Sequence, residues 1–331
     1  MMKAIQIQSP GNVAVVDVEK PAVKPGEVLL KLGYVGFCGS DLNTYRGGNT
    51  MVTFPRIPGH EIGATVVEIG NNVPSGLTVG QTVTVNPYTN CGHCASCRRG
   101  RVNACESNET LGVQRNGAMQ EFISLPWQKF IPCGSVSLRD AALIEPMSVG
   151  FHAVDRGRVT DTDIVMVIGC GMVGLGAVVR AVMRGATVIA ADLDDEKLAL
   201  ARQLGATYTY NTATEWNLPS PDVVIEAVGA APTYQLAVNR VAFTGRIVCI
   251  GYAKTDIALT TSLFVKKELD IMGSRNANPS DFEAVIKYLS KPGVPIESFI
   301  SRVIEPNDAA NALKQWSEAP GKIFRILVKW N

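Results

Sequence analysis

No apolar run in this sequence is long enough to cross a bilayer. The longest, Ile164 to Val179, falls short of the roughly 20 residues that a spanning helix needs and is broken by glycines. The amino terminus, Met-Met-Lys-Ala-Ile-Gln-Ile-Gln, lacks the continuous apolar stretch of a secretory leader. Excess charge is missing too. With 31 Lys and Arg against 30 Asp and Glu, the formal net charge is +1, so no global field draws the chain to nucleic acid or to an anionic membrane. Arg98, Arg99 and Arg101 form a small basic cluster, but without the breadth and aromatic partners of a nucleic-acid face it reads as a solvated loop. Internal repeats and low-complexity tracts are also absent. These absences predict a soluble globular protein of the cytoplasm, acting on a small molecule and on neither nucleic acid nor membrane.

What is present fits that class. Hydrophobic residues make up 46% and charged residues 18%, which suits packed domains and argues against disordered tails. At 331 residues the chain exceeds one hydrophobic core, so two domains are expected. From Lys3 to about Val149, short alternating runs such as Glu27-Val-Leu-Leu-Lys-Leu and Ala64-Thr-Val-Val-Glu-Ile are punctuated by Gly and Pro, which predicts a β-rich domain. After Thr160 the pattern becomes strand, glycine turn, helix: strands at 164–168, 187–191, 223–227, 246–251 and 269–273, and helices at 173–184, 196–204 and 234–241. That alternation predicts an α/β fold with a doubly wound parallel sheet. Helices at 281–290 and 307–318 and a strand at 324–328 complete the chain.

Gly169-Cys170-Gly171-Met172-Val173-Gly174 is a G-x-G-x-x-G placed between a strand and an amphipathic helix. There its N–H groups and the helix dipole would face a pyrophosphate. The first glycine allows the tight turn, the second clears the phosphate's approach, and the third lets helix and strand pack closely. Asp192, at the end of the next strand, can accept both adenosine ribose hydroxyls and would repel a 2′-phosphate. Leu193 and Asp194 offer no compensating cation, so NAD is expected over NADP. The plain alternative is a packing turn with a surface Asp.

Two metal clusters are suggested, giving two zincs per chain. Cys91, Cys94, Cys97 and Cys105 supply four thiolates in one short loop, which closes a tetrahedral shell and predicts a structural zinc. Disulfides are the rival reading, disfavoured by the spacing and the expected compartment. His93 lies inside the loop but is not needed. A second set is scattered: Cys38, the pair His60-Glu61, and Glu145. One sulfur, one imidazole and one or two carboxylates would leave zinc an open position, as catalysis requires. Singly, each has a dull explanation: a small buried hydrophobe, a core histidine, a salt-bridge partner, a helix start before Pro146.

Taken together, Gly59-His60-Glu61-Ile62-Gly63, the Cys38-Gly-Ser-Asp41 turn, the cysteine lobe and Gly169 to Gly174 resemble the zinc-containing medium-chain dehydrogenases, in the branch of the sorbitol and threonine enzymes. The resemblance implies a GroES-like catalytic domain at 1–149 with both zincs, a Rossmann domain at 150–276, and a segment at 277–331 that returns to the first domain. It also implies a homodimer or homotetramer. Cys38, His60 and Glu61 or Glu145 match ligands or near-ligands of the catalytic zinc. The stretch Gly273-Ser274-Arg275-Asn276 resembles dehydrogenases of L-galactonate and L-gulonate and is expected near the nicotinamide. Asn43 stands where many relatives carry a histidine, so proton release would run through Ser40, the ribose hydroxyls and water, or through Glu145. Arg56 and Arg275 are candidates for a substrate carboxylate. The activity implied is oxidation of a secondary alcohol of a sugar acid or polyol. A threonine-type amino-alcohol enzyme would share every motif, and a non-catalytic zinc- and NAD-binding sensor is the reading from another class.

Overall fold

A computed structural model describes residues 1–253 and 255–330. The chain divides into two compact units, Met1–Glu145 with Asn278–Asn331, and Pro146–Ala277. The expected divisions lay at 149/150 and 276/277. The first lies within one helix, Ile144–Arg156, whose continuous hydrogen bonding gives the sequence no turn signal to read.

The first unit opens with a hairpin of β1 (Met2–Ser9) and β2 (Asn12–Val18). It continues through β3 (Glu27–Phe37), α1 (Gly39–Tyr45), β4 (Glu61–Ile69), β5 (Thr82–Val85), α2 (Ala95–Arg98), β6 (Phe122–Pro126) and β7 (Phe130–Pro132), and then α3 (Ile144–Arg156) begins. β3 is central and reads as a nearly continuous apolar run: Val28, Leu29, Leu30, Leu32, Val35 and Phe37 are all buried.

The second unit carries β8 (Ile164–Ile168), α4 (Met172–Met183), β9 (Thr187–Asp192), α5 (Asp195–Gln203), β10 (Tyr208–Asn211), β11 (Val223–Glu226), α6 (Ala231–Arg240), β12 (Arg246–Cys249), α7 (Ser262–Lys267) and β13 (Asp270–Gly273). Its strands pair in parallel in the order β10-β9-β8-β11-β12-β13. The chain turns one way from β8 to β9 and the other way to β11, so a crevice opens at the carboxyl ends of these strands. Met166, Ile168, Ile189, Val224 and Ile247 from the strands pack with Ala237, Val238 and Val241 in one core.

The chain then returns to the first unit with α8 (Pro279–Leu289), β14 (Arg302–Ile304), α9 (Ala309–Glu318) and β15 (Ile326–Lys329). The sheet order there is β14-β15-β3-β4-β5-β7, with β6 also paired to β3. Ala309, Ala312, Leu313 and Trp316, spaced as one helical face, bring α9 into the core with Leu30 and Phe37. Helices α6 and α8 start earlier than their apolar periodicity predicts. Pro232 and Pro279 sit in the first turn, where an N–H has no intrahelical acceptor and proline costs nothing. No helix of the described residues is long and apolar enough to cross a membrane.

Candidate metal and nucleotide sites

In the first unit, Cys38 caps the start of α1 directly after β3, and Glu61 begins β4. β3 and β4 are antiparallel with Gly36 opposite Glu61. That register sets the chain leaving toward Cys38 beside the chain arriving from His60. Gly36 is needed for it, since a Cβ there would run into the Glu61 carboxylate. One donor atom each from Cys38, His60 and Glu61 lies within 4.8 Å of the others. His60 and Glu61 are buried and Cys38 is partly so.

The electrostatics call for a cation. Burial pushes the Cys38 thiol up, but the charge and hydrogen bond of His60, with Arg325 behind, bring it down to about 7. Burial alone would lower His60; Cys38, Glu145 and Asp41 hold it well above its usual value. Burial lifts Glu61 far above the ordinary carboxylate range, Cys38 and Glu145 adding to the rise while Arg325 and His60 oppose it. Four acidic groups, Cys38, Asp41, Glu61 and Glu145, face two basic ones, His60 and Arg325. A buried acidic excess of this kind is costly unless a cation offsets it. Neither Glu61 oxygen nor His60 Nδ1 has a hydrogen-bond partner among the described residues. The Arg325 guanidinium lies 3.0 Å from Glu61 Oε1 as an ion pair without hydrogen-bonding alignment, and its Nη1 donates to the Phe37 carbonyl at 2.8 Å. The residues therefore fit a divalent zinc held by mixed S, N and O donors.

Three neighbours complete this cluster. Glu145 is buried in the first turn of α3 and accepts a hydrogen bond from the Tyr88 hydroxyl. Asp41 caps the backbone N–H of Cys38 at 2.8 Å. Ser40 Oγ is buried and unpartnered among the described residues. Tyr88, Asp41 and Arg325 escaped sequence reasoning. Asp41 sits in the Cys-Gly-Ser-Asp turn and could have been read as a capping carboxylate, whereas nothing local marks Tyr88 or Arg325.

The sulfurs of Cys91, Cys94, Cys97 and Cys105 also lie within 4.8 Å of one another. They are free thiols, with Cys94 and Cys105 Sγ atoms 3.9 Å apart, well beyond a disulfide bond of about 2.05 Å. The Ser96 hydroxyl and the backbone N–H groups of Cys97 and Glu106 bring Cys94 down to about 5. Burial and its sulfur neighbours push Cys97 up to about 11, because close thiols cannot all ionise without a cation between them. This donor set fits zinc. His93 is exposed and its Nδ1 sits 2.9 Å from the Cys91 carbonyl, so it plays no part in the sulfur cluster.

In the second unit, Gly169 has φ +93°, which only glycine adopts freely, and a Cβ on Gly174 would strike the Gly169 carbonyl oxygen. Nothing lies within 4 Å of where a Cβ on Gly171 would point. The middle glycine thus opens onto free space at the start of α4, beside Met172 and Val173, and this cradle fits a pyrophosphate. Asp192 Oδ2 accepts from Cys170 N at 2.7 Å, and Oδ1 from Leu193 N at 2.8 Å and Asp194 N at 3.0 Å. These bonds aim the carboxylate at a pocket of about 280 Å³ lined by Gly169, Gly171, Asp192, Lys197, Val228 and Thr233 among others. Lys197, in α5, is the cation that the sequence argument did not weigh.

Ser274, Arg275 and Asn276 follow β13 and are not in that pocket's lining. Ser274 is buried, with its N–H on the Cys249 carbonyl at 2.8 Å. Arg56, in the first unit, donates to Thr53 Oγ1 at 2.9 Å and Asn116 Oδ1 at 3.4 Å, both neutral.

Known proteins resemble this chain over both units. Residues 24–135 match the alcohol dehydrogenase GroES-like domain and residues 173–291 the zinc-binding dehydrogenase domain. L-Galactonate-5-dehydrogenase of Escherichia coli K12 is 31% identical over 309 residues, covering 91% of each chain. The crystal structure of the RspB alcohol dehydrogenase of E. coli CFT073, complexed with NADH, superposes with a TM-score of 0.90 at 30% identity and 99% coverage of both chains. A zinc-binding dehydrogenase of Sinorhizobium meliloti 1021 bound to NADP gives 0.91 at 28% identity, covering 100% of this chain and 99% of that one.

Proposed function

The chain belongs to the zinc-containing alcohol dehydrogenase family of GroES-like and nucleotide-binding domains, and from that premise we propose that it oxidises a secondary hydroxyl of a sugar acid or polyol to a ketone, with NAD as the hydride acceptor. The observation that carries the reading is the buried, acid-rich cluster of Cys38, His60 and Glu61. Three protein donors leave a four-coordinate ion one place for a substrate oxygen, whereas the four-cysteine lobe leaves none. Zinc in the first cluster supplies Lewis acidity, which lowers the pKa of a substrate hydroxyl toward neutrality. NAD supplies the hydride acceptor, and the protein's part is orientation and exclusion of water.

The chain's own groups divide the remaining work. Cys38 and His60 present sulfur and nitrogen, and one of Glu61 and Glu145 adds oxygen. Arg325 keeps Glu61 tolerable inside the protein. Ser40, whose buried hydroxyl has no partner among the described residues, is proposed to relay the substrate proton. Since Asn43 cannot titrate, the proton leaves through the ribose hydroxyls and water, or through Glu145. Gly169, Gly171, Met172, Val173 and Gly174 hold the pyrophosphate, and Asp192 the adenosine ribose. Ser274, Arg275 and Asn276 are proposed to serve the nicotinamide end. The preference for NAD rests on Asp192 and is moderated by Lys197. Arg56, whose charge its neutral partners leave unbalanced, and Arg275 are the proposed carboxylate readers. Homo-oligomerisation is also proposed, β13 being an edge strand of the sheet with its own Ile271 exposed.

The test is a screen of NAD and NADP reduction with aldonates, hexuronates and their parent polyols, run beside Arg275→Ala and Arg56→Ala. Turnover of a sugar acid that collapses in one arginine variant, with polyol turnover and NAD affinity retained, supports the reading. Turnover confined to amino alcohols such as threonine overturns it.

A further inference from the structure

Tyr88 lies between the two metal clusters in sequence, three residues before the first lobe cysteine. Its ring is buried and its hydroxyl donates to Glu145 Oε1. The hydroxyl has no freedom to drift, because the backbone on both sides of it is pinned. Leu111 N donates to the Pro87 carbonyl at 3.1 Å, Thr89 N to the Glu109 carbonyl at 3.0 Å, and Glu109 N to Thr89 Oγ1 at 2.7 Å. Tyr88 itself bridges Thr110, and Lys129 Nζ donates to the Tyr88 carbonyl at 2.6 Å. Residues 86–90 and 109–111 are thus the two stems that enter and leave the four-cysteine lobe, zipped together at the level of Tyr88. A lobe closed at Cys91 and Cys105 holds those stems in register.

We propose that Tyr88 is a positioning residue for Glu145: its hydroxyl occupies one carboxylate oxygen and turns the other toward the open metal cluster, with the cysteine lobe as the clamp that fixes Tyr88. A carboxylate on a helix's first turn has several rotamers, and a buried donor on one of its oxygens selects among them. Partners one step removed from a metal set the orientation and basicity of the groups that meet it. The proposal rests on the reading of Glu145 as a member of the open site.

The experiment uses Tyr88→Phe, which keeps the ring and removes only the hydroxyl, with Glu145→Gln and the double variant, in the full-length metal-loaded protein. The expected result is a loss of about ten- to hundredfold in kcat for Tyr88→Phe, with NADH affinity and Tm as in the wild type. Cobalt(II) substituted into the open site should show a shifted visible absorption spectrum, and the site should yield its metal to a chelator faster. In the Glu145→Gln background, Tyr88→Phe should add nothing further, the signature of action through one partner. Losses that multiply in the double variant overturn the proposal, since Tyr88 would then act by general loosening. So does a Tyr88→Phe enzyme with wild-type kcat and cobalt spectrum while Glu145→Gln is inactive. Full turnover in Glu145→Gln removes the reading of Glu145 itself, and the two failures are told apart by that variant alone.

Discussion

The two metal clusters of the first unit are built by opposite means. The cysteine lobe draws four identical donors from one loop, Cys91 to Cys105, whereas the open cluster draws different donors, Cys38 just after β3, His60 just before β4 and Glu61 at its start. The lobe is closed by its own chain and held by hydrogen bonds among its residues, such as Cys91 N to Cys105 Sγ at 3.3 Å. The open cluster is held by the rest of the unit, through Arg325, Asp41 and Tyr88. A local, saturated site can only stabilise, and an assembled, unsaturated one can react but depends on its surroundings.

The sharpest way to break this comparison is to exchange one sulfur in each. Cys38→Ser is expected to cost at least about a thousandfold in turnover, with Tm near the wild type. An active Cys38→Ser enzyme would remove the open cluster from catalysis. Cys97→Ser should do the reverse, lowering stability by about 3 kcal/mol, or roughly 10 °C in Tm, with one metal equivalent lost on elemental analysis. Unchanged melting and metal content in that variant would mean that the lobe is not a zinc site.

Neither sulfur exchange should reach the second unit, where Asp192 and Lys197 share one pocket. Asp192→Ala is expected to narrow the NAD over NADP ratio in kcat/KM about tenfold or more, since it removes the ribose acceptor and leaves the cation. A wild-type enzyme preferring NADP would contradict the role given to Asp192. The smallest effect serves as background. In the second unit Asp155 is paired with Arg180 at 2.9 Å and Arg184 at 2.7 Å. Burial raises it, and these guanidiniums outweigh burial to hold it below its usual value. A depressed carboxylate adds stability that is present above its unfolded pKa of about 3.9 and is lost as pH falls through the folded value. Asp155→Asn should therefore cost about 1 kcal/mol or less at pH 7 and nothing at strongly acid pH, read from urea melts at both. An equal loss at both pH values would show that the ion pair contributes nothing.

Local chemistry was readable from the sequence because short spacing carries it. The cysteines at i, i+3 and i+6, the glycines that open α4, and the strand-helix alternation of the second unit each need only neighbouring residues to be recognised. Helices α1, α3 and α7 and strand β10 gave weaker signals, α1 and α7 because they span only two turns or less. Asn307 and Phe324 were expected inside an element and lie two residues before it, Asn307 in the short 3-10 turn Pro306–Asp308 that leads into α9.

The sequence by itself determined which groups were available: a sulfur, an imidazole and carboxylates for an open metal site, four thiols for a closed one, and a glycine turn with an acid for a dinucleotide. Only the tertiary structure decided their company. Antiparallel pairing of β15, β3 and β4 carries Arg325 to Glu61 past the bare backbone of Gly36, and the stems of the lobe carry Tyr88 to Glu145. No local pattern encodes such pairs, because they follow from strand register and side-chain burial between residues far apart in the chain, where pairing offsets the cost of burying a charge or a hydroxyl.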